Sequence, residues 1–422
     1  MELSNDSSSS LGQSGSTIIN TSGAARAAIA KRAAFALFEA QGRVRTLPVA
    51  VGFDAFIDSI ISVVDKRASM DAGDYSRLET ITRFADRVAA AAGKSTNLEL
   101  VIHEQRFGGN GPLMAGGLAQ FGLPTTYLGG VGAEGDDVPR GPGGPLHAIF
   151  QPFVDRCTRT GGTVIPLSSP ARTEALEFDD GKVMLGKPAP LQSITWERLK
   201  ALVGVEKLTT VLGGAQLVGI VNWVMMGGVE SIWEGLADEV FAQVGSTPRV
   251  FLDLCDPAKR TDADVAGALK VMSKLAGRRP VTLGLNLAEA ERIDAVCGSG
   301  SLGEMLGVAT PSNEQLRYAA VAIRAKLRVD TVVIHPRHGA AAANAAGVSA
   351  WFDGPLIAQP KLSTGAGDHF NSGFALGQLL GLPLELCLAC AVGTSGAYVR
   401  DAQSPTLVRL AEFLAELPEP QG

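Results

Sequence analysis

The chain has 422 residues, of which 46% are hydrophobic and 50 are glycines, so it can bury a large core and form many tight turns. Its formal net charge of -6, without basic runs, argues against nucleic acid or an anionic membrane surface as the main partner. We therefore expect a soluble α/β protein whose ligand is a small diffusible molecule.

The N-terminal residues 1–22 are rich in serine and glycine and are expected to form a disordered tail. They lack the charged region and apolar core of a signal peptide, and no apolar stretch approaches the length of a membrane span. The five cysteines are odd in number and scattered along the chain, which favours a reducing, cytoplasmic location.

Apolar strand-like segments alternate with helical patterns from residue 24 onward. Strands are predicted at residues 47–53, 98–104, 125–130, 217–221, 249–254, 281–285 and 331–335, with a hairpin at 174–178 and 182–185. Helices are predicted at residues 24–40, 74–93 and 111–121 and between the later strands. This alternation predicts a mostly parallel sheet covered on both faces, with ligands beyond the carboxyl ends of the strands.

The most informative segment is the glycine-rich turn at residues 362–374, which reads LSTGAGDHFNSGF. The N–H groups of Gly365, Ala366 and Gly367 would point out of an uncapped helix start, where the macrodipole favours an anion. Asp368 follows directly, and such a carboxylate can take the proton from an attacking hydroxyl in phosphoryl transfer. Taken alone, such a turn is more often a structural cap than a catalytic site.

Two further motifs place polar side chains where a hydroxyl-rich ligand would bind. Gly108, Gly109 and Asn110 lie at a strand-to-helix junction, where a ligand can approach the backbone and the amide can donate and accept hydrogen bonds. Asp54 and Asp58 follow the first sheet strand, although one of the two is expected to be an ordinary turn or solvated residue.

A fourth motif directly follows the predicted strand at residues 281–285. Asn286 and Glu289 are spaced i and i+3, so they share one helix face and could hold a hydrated magnesium ion against phosphate oxygens. The same spacing is also that of an ordinary capping box.

Together and in this order, the four motifs resemble those of the ribokinase family of sugar kinases, also called the PfkB family, over residues 47–405. The resemblance implies a ribokinase-like α/β fold, with a mostly parallel doubly wound sheet and a small β-sheet lid near residues 60–67, 98–106 and 172–187. Residues 23–422 would form this kinase domain. The resemblance also implies ATP and Mg²⁺ as cofactors, a sugar or related polyol as acceptor, and pairing of lid edges in a homodimer.

The resemblance also implies roles for individual residues. Asp368 would be the catalytic base and Gly365, Ala366 and Gly367 the anion hole, while Asn286 and Glu289 would organise magnesium and phosphate. The sugar-binding residues would be Gly108, Gly109, Asn110, Asp58 and, with less support, Asp54, and the nucleotide contacts would be Arg337 and Gly339.

The chain departs from the family pattern at three positions. Leu362 stands where many relatives have an Asp linked to a monovalent cation, and His369 stands where small residues are common. The segment at residues 334–339, IHPRHG, replaces a turn that touches the nucleotide, and only its Gly339 matches.

Other functions stay open at the level of the sequence. A nucleoside kinase would have the same fold and base, and an enlarged lid region is compatible with ADP as the donor. The altered nucleotide turn is compatible with a non-catalytic regulatory relative. A dinucleotide-dependent dehydrogenase is disfavoured, because no Gly-x-Gly-x-x-Gly follows the first strand.

Overall fold

The computed structural model describes residues 10–11, 17–19, 23–135, 137–297, 311–357 and 359–420. The strands are β1 (Ser10–Leu11), β2 (Thr17–Ile19), β3 (Val49–Phe53), β4 (Phe56–Arg67), β5 (Tyr75–Arg77), β6 (Leu100–Gly108), β7 (Thr125–Gly129), β8 (Val164–Pro166), β9 (Ala171–Phe178), β10 (Gly181–Lys187), β11 (Leu217–Val221), β12 (Arg249–Asp253), β13 (Val281–Leu285), β14 (Thr331–Ile334), β15 (Gly339–Asn344) and β16 (Val348–Asp353). The helices are α1 (Ala24–Glu39), α2 (Ile81–Ala89), α3 (Asn110–Gln120), α4 (Gln151–Arg159), α5 (Trp196–Val203), α6 (Val205–Leu208), α7 (Val229–Gly235), α8 (Asp262–Ala276), α9 (Leu287–Cys297), α10 (Asn313–Leu327), α11 (Ala366–Leu379), α12 (Leu384–Asp401) and α13 (Leu407–Ala415).

The main sheet has the strand order β1-β2-β16-β15-β14-β13-β12-β11-β3-β7-β8. Strands β14, β13, β12, β11, β3, β7 and β8 are parallel, and their buried apolar runs explain why most of them could be predicted. Strands β15 and β16 add an antiparallel hairpin beside β14. Neither strand was predicted, and the alanine-rich β15 has low intrinsic β propensity and is fixed by ladder pairing.

Two of the predicted segments differ from the structure. Thr17–Ile19 lies in the segment expected to be a disordered tail, but this β-branched run pairs in parallel with β16 at the sheet margin. The rest of residues 1–22, apart from Ser10–Leu11, lies outside the described residues. The helix predicted at residues 74–93 is wrong at its start, where β5 pairs with β4 and the helix begins only after the Thr80 cap.

Helices cover both faces of the main sheet. Helices α1, α3, α4, α11, α12 and α13 pack on one face, and α5 to α10 pack on the other. Each face has its own apolar core, as a doubly wound sheet requires. No helix in the described part of the chain is long and apolar enough to cross a membrane.

A second, smaller sheet contains the three segments predicted to supply the lid, together with the unpredicted strand β5. Its order is β10-β9-β4-β5. Strand β5 pairs with the end of β4, from Val64 onward, and β6 pairs with the preceding part of β4, from Phe56 to Val63. Its small apolar core, centred on Ile61, Leu176 and Phe178, packs against α2. Strand β4 begins three residues after β3 ends, so the small sheet rises directly from the carboxyl edge of the main sheet.

Polar residues gather at that carboxyl edge. Asp54 follows β3, Asn222 follows β11, Asp253 ends β12, Asn286 follows β13 and His335 follows β14. These strands are adjacent in the sheet, so their ends lie along one edge. This is the edge at which open parallel sheets bind ligands.

Candidate active site

Helix α3 begins over a buried carboxylate. The N–H groups of Asn110 and Gly111 donate to the two oxygens of Asp54, at 3.0 and 2.7 Å. Gly109 enters the helix at φ 101°, and a Cβ there would lie 3.0 Å from the Cα of Ala55. A glycine is therefore required at this position, and the negative charge sits where the helix dipole favours it.

Both carboxylate oxygens of Asp54 accept hydrogen bonds from the chain. Besides the two backbone donors, its Oδ2 accepts the side-chain amide of Asn222 at 2.7 Å, and the residue is 0% exposed. Burial raises the pKa of Asp54 to about 6, against the lowering effect of these hydrogen bonds. Asp54 thus organises the start of α3, since its two oxygens accept three hydrogen bonds from the chain, and its role in sugar binding stays a prediction.

Helix α11 begins at the second glycine-rich turn. Gly365 has φ 87°, and a Cβ there would lie 2.9 Å from Leu113 and 3.1 Å from the hydroxyl of Tyr398. The first-turn N–H groups have no acceptor within the helix, as the anion-hole prediction requires. The Ala366 N–H, however, donates to the carbonyl of Ser363 at 3.2 Å, so an anion would have to compete for this amide.

A direct hydrogen bond joins the two helix starts. The side-chain amide of Asn110 donates to Oδ1 of Asp368 at 2.9 Å, across 258 residues of sequence. Asp368 is buried, and its pKa is raised well above the ordinary carboxyl value by burial and then by the charge of Asp253. The predicted base and the predicted sugar-binding amide are thus in contact.

Asp58 lies on the small sheet, in β4. It faces Arg106 of β6 on one side and Thr173 of β9 on the other. A Cβ on Gly108 would collide with the Asp58 carboxylate, so the absence of a side chain at Gly108 leaves room for that carboxylate over β6. Burial raises the pKa of Asp58, opposed by the hydrogen bond from Thr173. Gly108, Gly109 and Asn110 therefore connect the small sheet to the start of α3.

Asn286 and Glu289 form a reciprocal capping box at the start of α9. The backbone and side-chain N–H groups of Asn286 donate to the Glu289 carboxylate at 2.8 and 2.7 Å, and the Glu289 N–H donates to the Asn286 side chain at 2.9 Å. Burial, and then the charge of Asp253, raises the pKa of Glu289. The motif is therefore a capping box, and its predicted role with magnesium stays a prediction.

The donor chemistry at Glu289 fits a magnesium ion held through water. Glu289 and Asp253 are oxygen donors whose mutual repulsion a divalent cation would relieve, and Mg²⁺ prefers such hard ligands while keeping several waters. Asn286 already uses both ends of its amide on Glu289, so it suits a positioning role. In the described residues, no group of three or more His, Cys, Asp or Glu side chains is arranged to hold a metal directly.

A cavity of about 540 Å³ adjoins the start of α11. Its lining includes Ala366 and Gly367 from the turn and the predicted contacts Arg337 and Gly339. Arg337 is exposed to the opening. Gly339 is a packing position as well, because a Cβ there would lie 2.6 Å from the carbonyl oxygen of Phe352. The mostly apolar walls and a single arginine suit a planar base attached to phosphates.

His335 forms part of the wall between this cavity and α11. Its ring packs against Phe370, with centroids 4.5 Å apart, and its Cε1 would lie 3.7 Å from a Cβ on Gly367. Burial lowers the pKa of His335 to about 4, so the ring is neutral at pH 7. A neutral ring supports the turn without adding charge.

Three buried residues of the site were not among the predicted ones. Asn222 holds Asp54, and Asn371 of α11 donates to Asp253 at 2.6 Å. The N–H of Asn222 also donates to the carbonyl of Asp253 at 3.0 Å, which ties the two neighbouring strand ends together. Asn222 and Asp253 stand at strand ends, and that position is the signal that could have found them. For Asn371, inside a helix, no such signal exists.

Fold and family together make the chain a carbohydrate kinase of the ribokinase fold, a phosphotransferase with an alcohol group as acceptor. The ribokinase of Cryptococcus neoformans var. grubii in complex with ADP superposes with a TM-score of 0.56 at 15% identity, over 87% of this chain and 99% of that chain. The ribokinase of Arabidopsis thaliana complexed with ribose and ATP gives a TM-score of 0.54 at 18% identity, over 87% of this chain and 98% of that chain.

Sequence comparison is more specific. The chain is 29% identical over 370 residues to the ketohexokinase of Haloferax volcanii, covering 86% of this chain and 90% of the relative. The family model for prokaryotic ketohexokinase matches residues 28–417. The chain therefore belongs to the prokaryotic ketohexokinase family, and the predicted fold and class of enzyme are confirmed.

Proposed function

We propose that the protein transfers the terminal phosphoryl group of ATP to a hydroxyl of a ketohexose. The family and the Haloferax relative point to this acceptor class. The observation that carries the proposal is the hydrogen bond of 2.9 Å between Asn110 and Asp368. It joins a group suited to a sugar hydroxyl with a buried carboxylate at a helix start, next to the nucleotide-sized cavity.

In the proposed reaction, Asp368 accepts the proton of the attacking sugar hydroxyl as the oxygen bonds to the terminal phosphorus of ATP, while the bond from that phosphorus to the bridging oxygen breaks and ADP leaves. Burial raises the pKa of Asp368, and the ionised form of such a carboxyl is a stronger base than an ordinary carboxylate. Asn110 and Asp58 orient the sugar by hydrogen bonds to its other hydroxyl groups. The backbone amides of residues 365–367 stabilise the charge on the transferred group.

The nucleotide is proposed to occupy the cavity beside α11, with Arg337 near its phosphates. Glu289 would hold Mg²⁺ through water, with Asn286 fixing its carboxylate. When bound, the ion would neutralise negative charge on the phosphates.

The small sheet is proposed to act as a lid over the sugar, excluding water as a competing acceptor. Its margins carry exposed apolar side chains, Ile102 on β6 and Met184 and Leu185 on β10. These margins are the proposed contact of a homodimer, which sedimentation velocity would detect as a doubled mass. A cytoplasmic location likewise stays a prediction.

An acceptor screen tests the proposal directly. Purified protein is mixed with Mg²⁺, ATP and one of fructose, ribose, 2-keto-3-deoxygluconate, adenosine or inosine, and ADP release is followed by a coupled assay. The highest kcat/KM is expected for fructose. A preference for a nucleoside would favour the nucleoside kinase, and activity with ADP in place of ATP would favour the other donor. Failure to bind any adenine nucleotide by calorimetry would favour a regulatory relative.

A further inference from the structure

The residue after the proposed base is a histidine whose ring lies in the protein interior. His369 is 0% exposed, and its imidazole stacks on the ring of Tyr398 from α12, with centroids 3.6 Å apart and planes 10° apart. The stack lies against the glycine-rich turn, since the Tyr398 hydroxyl would be 3.1 Å from a Cβ on Gly365. The two rings therefore support the turn from behind.

Each ring donates a hydrogen bond to the turn. The Tyr398 hydroxyl donates to the carbonyl of Thr364 at 2.8 Å, and Nδ1 of His369 lies 2.8 Å from the carbonyl of Gly365. A carbonyl oxygen can only accept, so Nδ1 carries the proton in this arrangement. Burial lowers the pKa of His369 to about 4, which keeps the ring neutral at pH 7.

The other side of the imidazole is also anchored. Nε2 lies 2.7 Å from the hydroxyl of Ser404, which donates to it because Nδ1 already bears the ring proton. The same hydroxyl accepts from the guanidinium of Arg156 at 3.3 Å. A chain of hydrogen bonds thus runs from Arg156 through Ser404 and His369 to the turn.

We propose that His369 and Tyr398 are positioning residues that aim the anion-hole amides. A peptide unit is planar, so the carbonyl of Thr364 and the N–H of Gly365 lie in one plane, as do the carbonyl of Gly365 and the N–H of Ala366. Holding the two carbonyls from behind fixes the direction of both N–H groups, and the Ala366 N–H, which donates to the carbonyl of Ser363 at 3.2 Å, would be shared with a bound anion. Gly365 has φ 87° and no side chain to restrict it, and its carbonyl accepts both the backbone N–H of His369 at 3.1 Å and the Nδ1–H of the same residue, so the ring adds to the hold of the first helical hydrogen bond.

The inference rests on the proposed function, because it presumes that the turn binds the terminal phosphoryl group. It makes a distinct claim, however, about affinity for that group alone. ADP lacks the terminal phosphate, so loosening the turn is expected to weaken binding of ATP and leave binding of ADP unchanged. A merely structural role of the stack would weaken both nucleotides equally.

The test is calorimetric titration of the full chain, in Mg²⁺, with ADP and with a non-hydrolysable ATP analogue. Tyr398→Phe keeps the stack and removes one hydrogen bond, and we expect about a tenfold loss of affinity for the ATP analogue alone. His369→Leu is expected to show the same selective loss, whereas His369→Asn, whose amide can replace the Nδ1 donor, restores the affinity. Tyr318→Phe on the exposed face of α10 is the matched control.

Equal losses for both nucleotides, or no loss in either Tyr398→Phe or His369→Leu, would overturn the inference. Should His369→Leu fail to fold by circular dichroism, Tyr398→Phe decides, because it removes a single oxygen atom. In an active enzyme Tyr398→Phe also lowers kcat while the KM for the sugar stays unchanged. A wild-type protein that binds both nucleotides but phosphorylates no ketohexose refutes the proposed function. The ratio of its affinities for the ATP analogue and for ADP still tests the positioning role of His369 and Tyr398. Absence of nucleotide binding by the wild type overturns both.

Discussion

The two glycine-led helix starts of the site look alike in sequence and differ in use. Both Gly109 before α3 and Gly365 before α11 have positive φ, at 101° and 87°. The first N–H groups of α3 are satisfied by the buried carboxylate of Asp54. At α11 the protein instead holds the carbonyls of the turn from behind, through His369 and Tyr398.

This difference separates a structural helix start from one suited to a ligand. Where the chain supplies its own anion, the helix dipole stabilises the fold. At α11 the acidic residue of the first turn, Asp368, accepts from Asn110 of the other helix, and the Ala366 N–H donates to a carbonyl, so we expect the same dipole to act on a phosphate. The hydrogen bond from Asn110 to Asp368 then joins the two, so a rigid α3 start positions the group that contacts the proposed base.

The largest effect is expected from removing the carboxylate at α11. Asp368→Asn should lower kcat by about 10²–10⁴-fold, because the proton acceptor is lost while the shape is kept. Steady-state kinetics with fructose and ATP measures it, and Asp86→Asn on α2 serves as the surface control. Near-normal turnover would refute the role of Asp368 as base.

Removing the carboxylate at α3 should instead affect folding. In the wild type, the two oxygens of Asp54 accept three hydrogen bonds. Asp54→Asn keeps only one of these oxygens and replaces the other by an NH₂ group, which faces N–H donors and cannot accept from them. We expect a loss of about 2–4 kcal/mol in the free energy of unfolding, measured by urea denaturation. An unchanged midpoint would show that α3 does not depend on this carboxylate.

The glycine that leads α11 can be compared with its neighbour. Gly365→Ala requires φ 87° and places a Cβ 2.9 Å from Leu113, so a loss of about 1–3 kcal/mol is expected. Gly367→Ala is the matched variant, because its Cβ would meet only His335 at 3.7 Å and should cost less. Thermal unfolding of the two proteins measures the difference, and equal melting temperatures would contradict this account of the turn.

Asn110, whose hydrogen bond to Asp368 joins the starts of α3 and α11, should govern sugar binding. Asn110→Ala is expected to raise the KM for fructose about tenfold through loss of hydrogen bonds, with the KM for ATP nearly unchanged. A larger change for ATP than for fructose would place Asn110 on the nucleotide side.

The acid limb of kcat/KM should report the environment of Asp368. Because the pKa of Asp368 is raised, the fall of kcat/KM on acidification should occur at a higher pH than the ~4 of an ordinary carboxyl group. Asp253→Asn removes a charge that raises this pKa, so the limb should move to lower pH. Asn110→Ala removes a hydrogen bond that lowers it, so the limb should move to higher pH. Shifts in the same direction would show that another group controls the profile.

The sequence allowed prediction of what is local. Buried strand runs, their order, and motifs at strand ends follow from residue patterns, and they located Asp368, Asn110 and Glu289 at one edge. The roles of Asp54 and Ala366 could not be separated from those of their neighbours, because they depend on hydrogen-bond partners that only the folded chain defines. The alanine-rich β15 and the stack of His369 on Tyr398 are likewise products of tertiary packing.

We propose that a ketohexose and the terminal phosphate of a nucleotide meet between the starts of α3 and α11. A crystal structure of the Asp368→Asn protein with fructose and a non-hydrolysable ATP analogue tests it most directly. We predict a sugar hydroxyl within hydrogen-bond distance of the side chains at 110 and 368, and the terminal phosphate against the amides of residues 365–367. A sugar or terminal phosphate bound elsewhere would contradict the account.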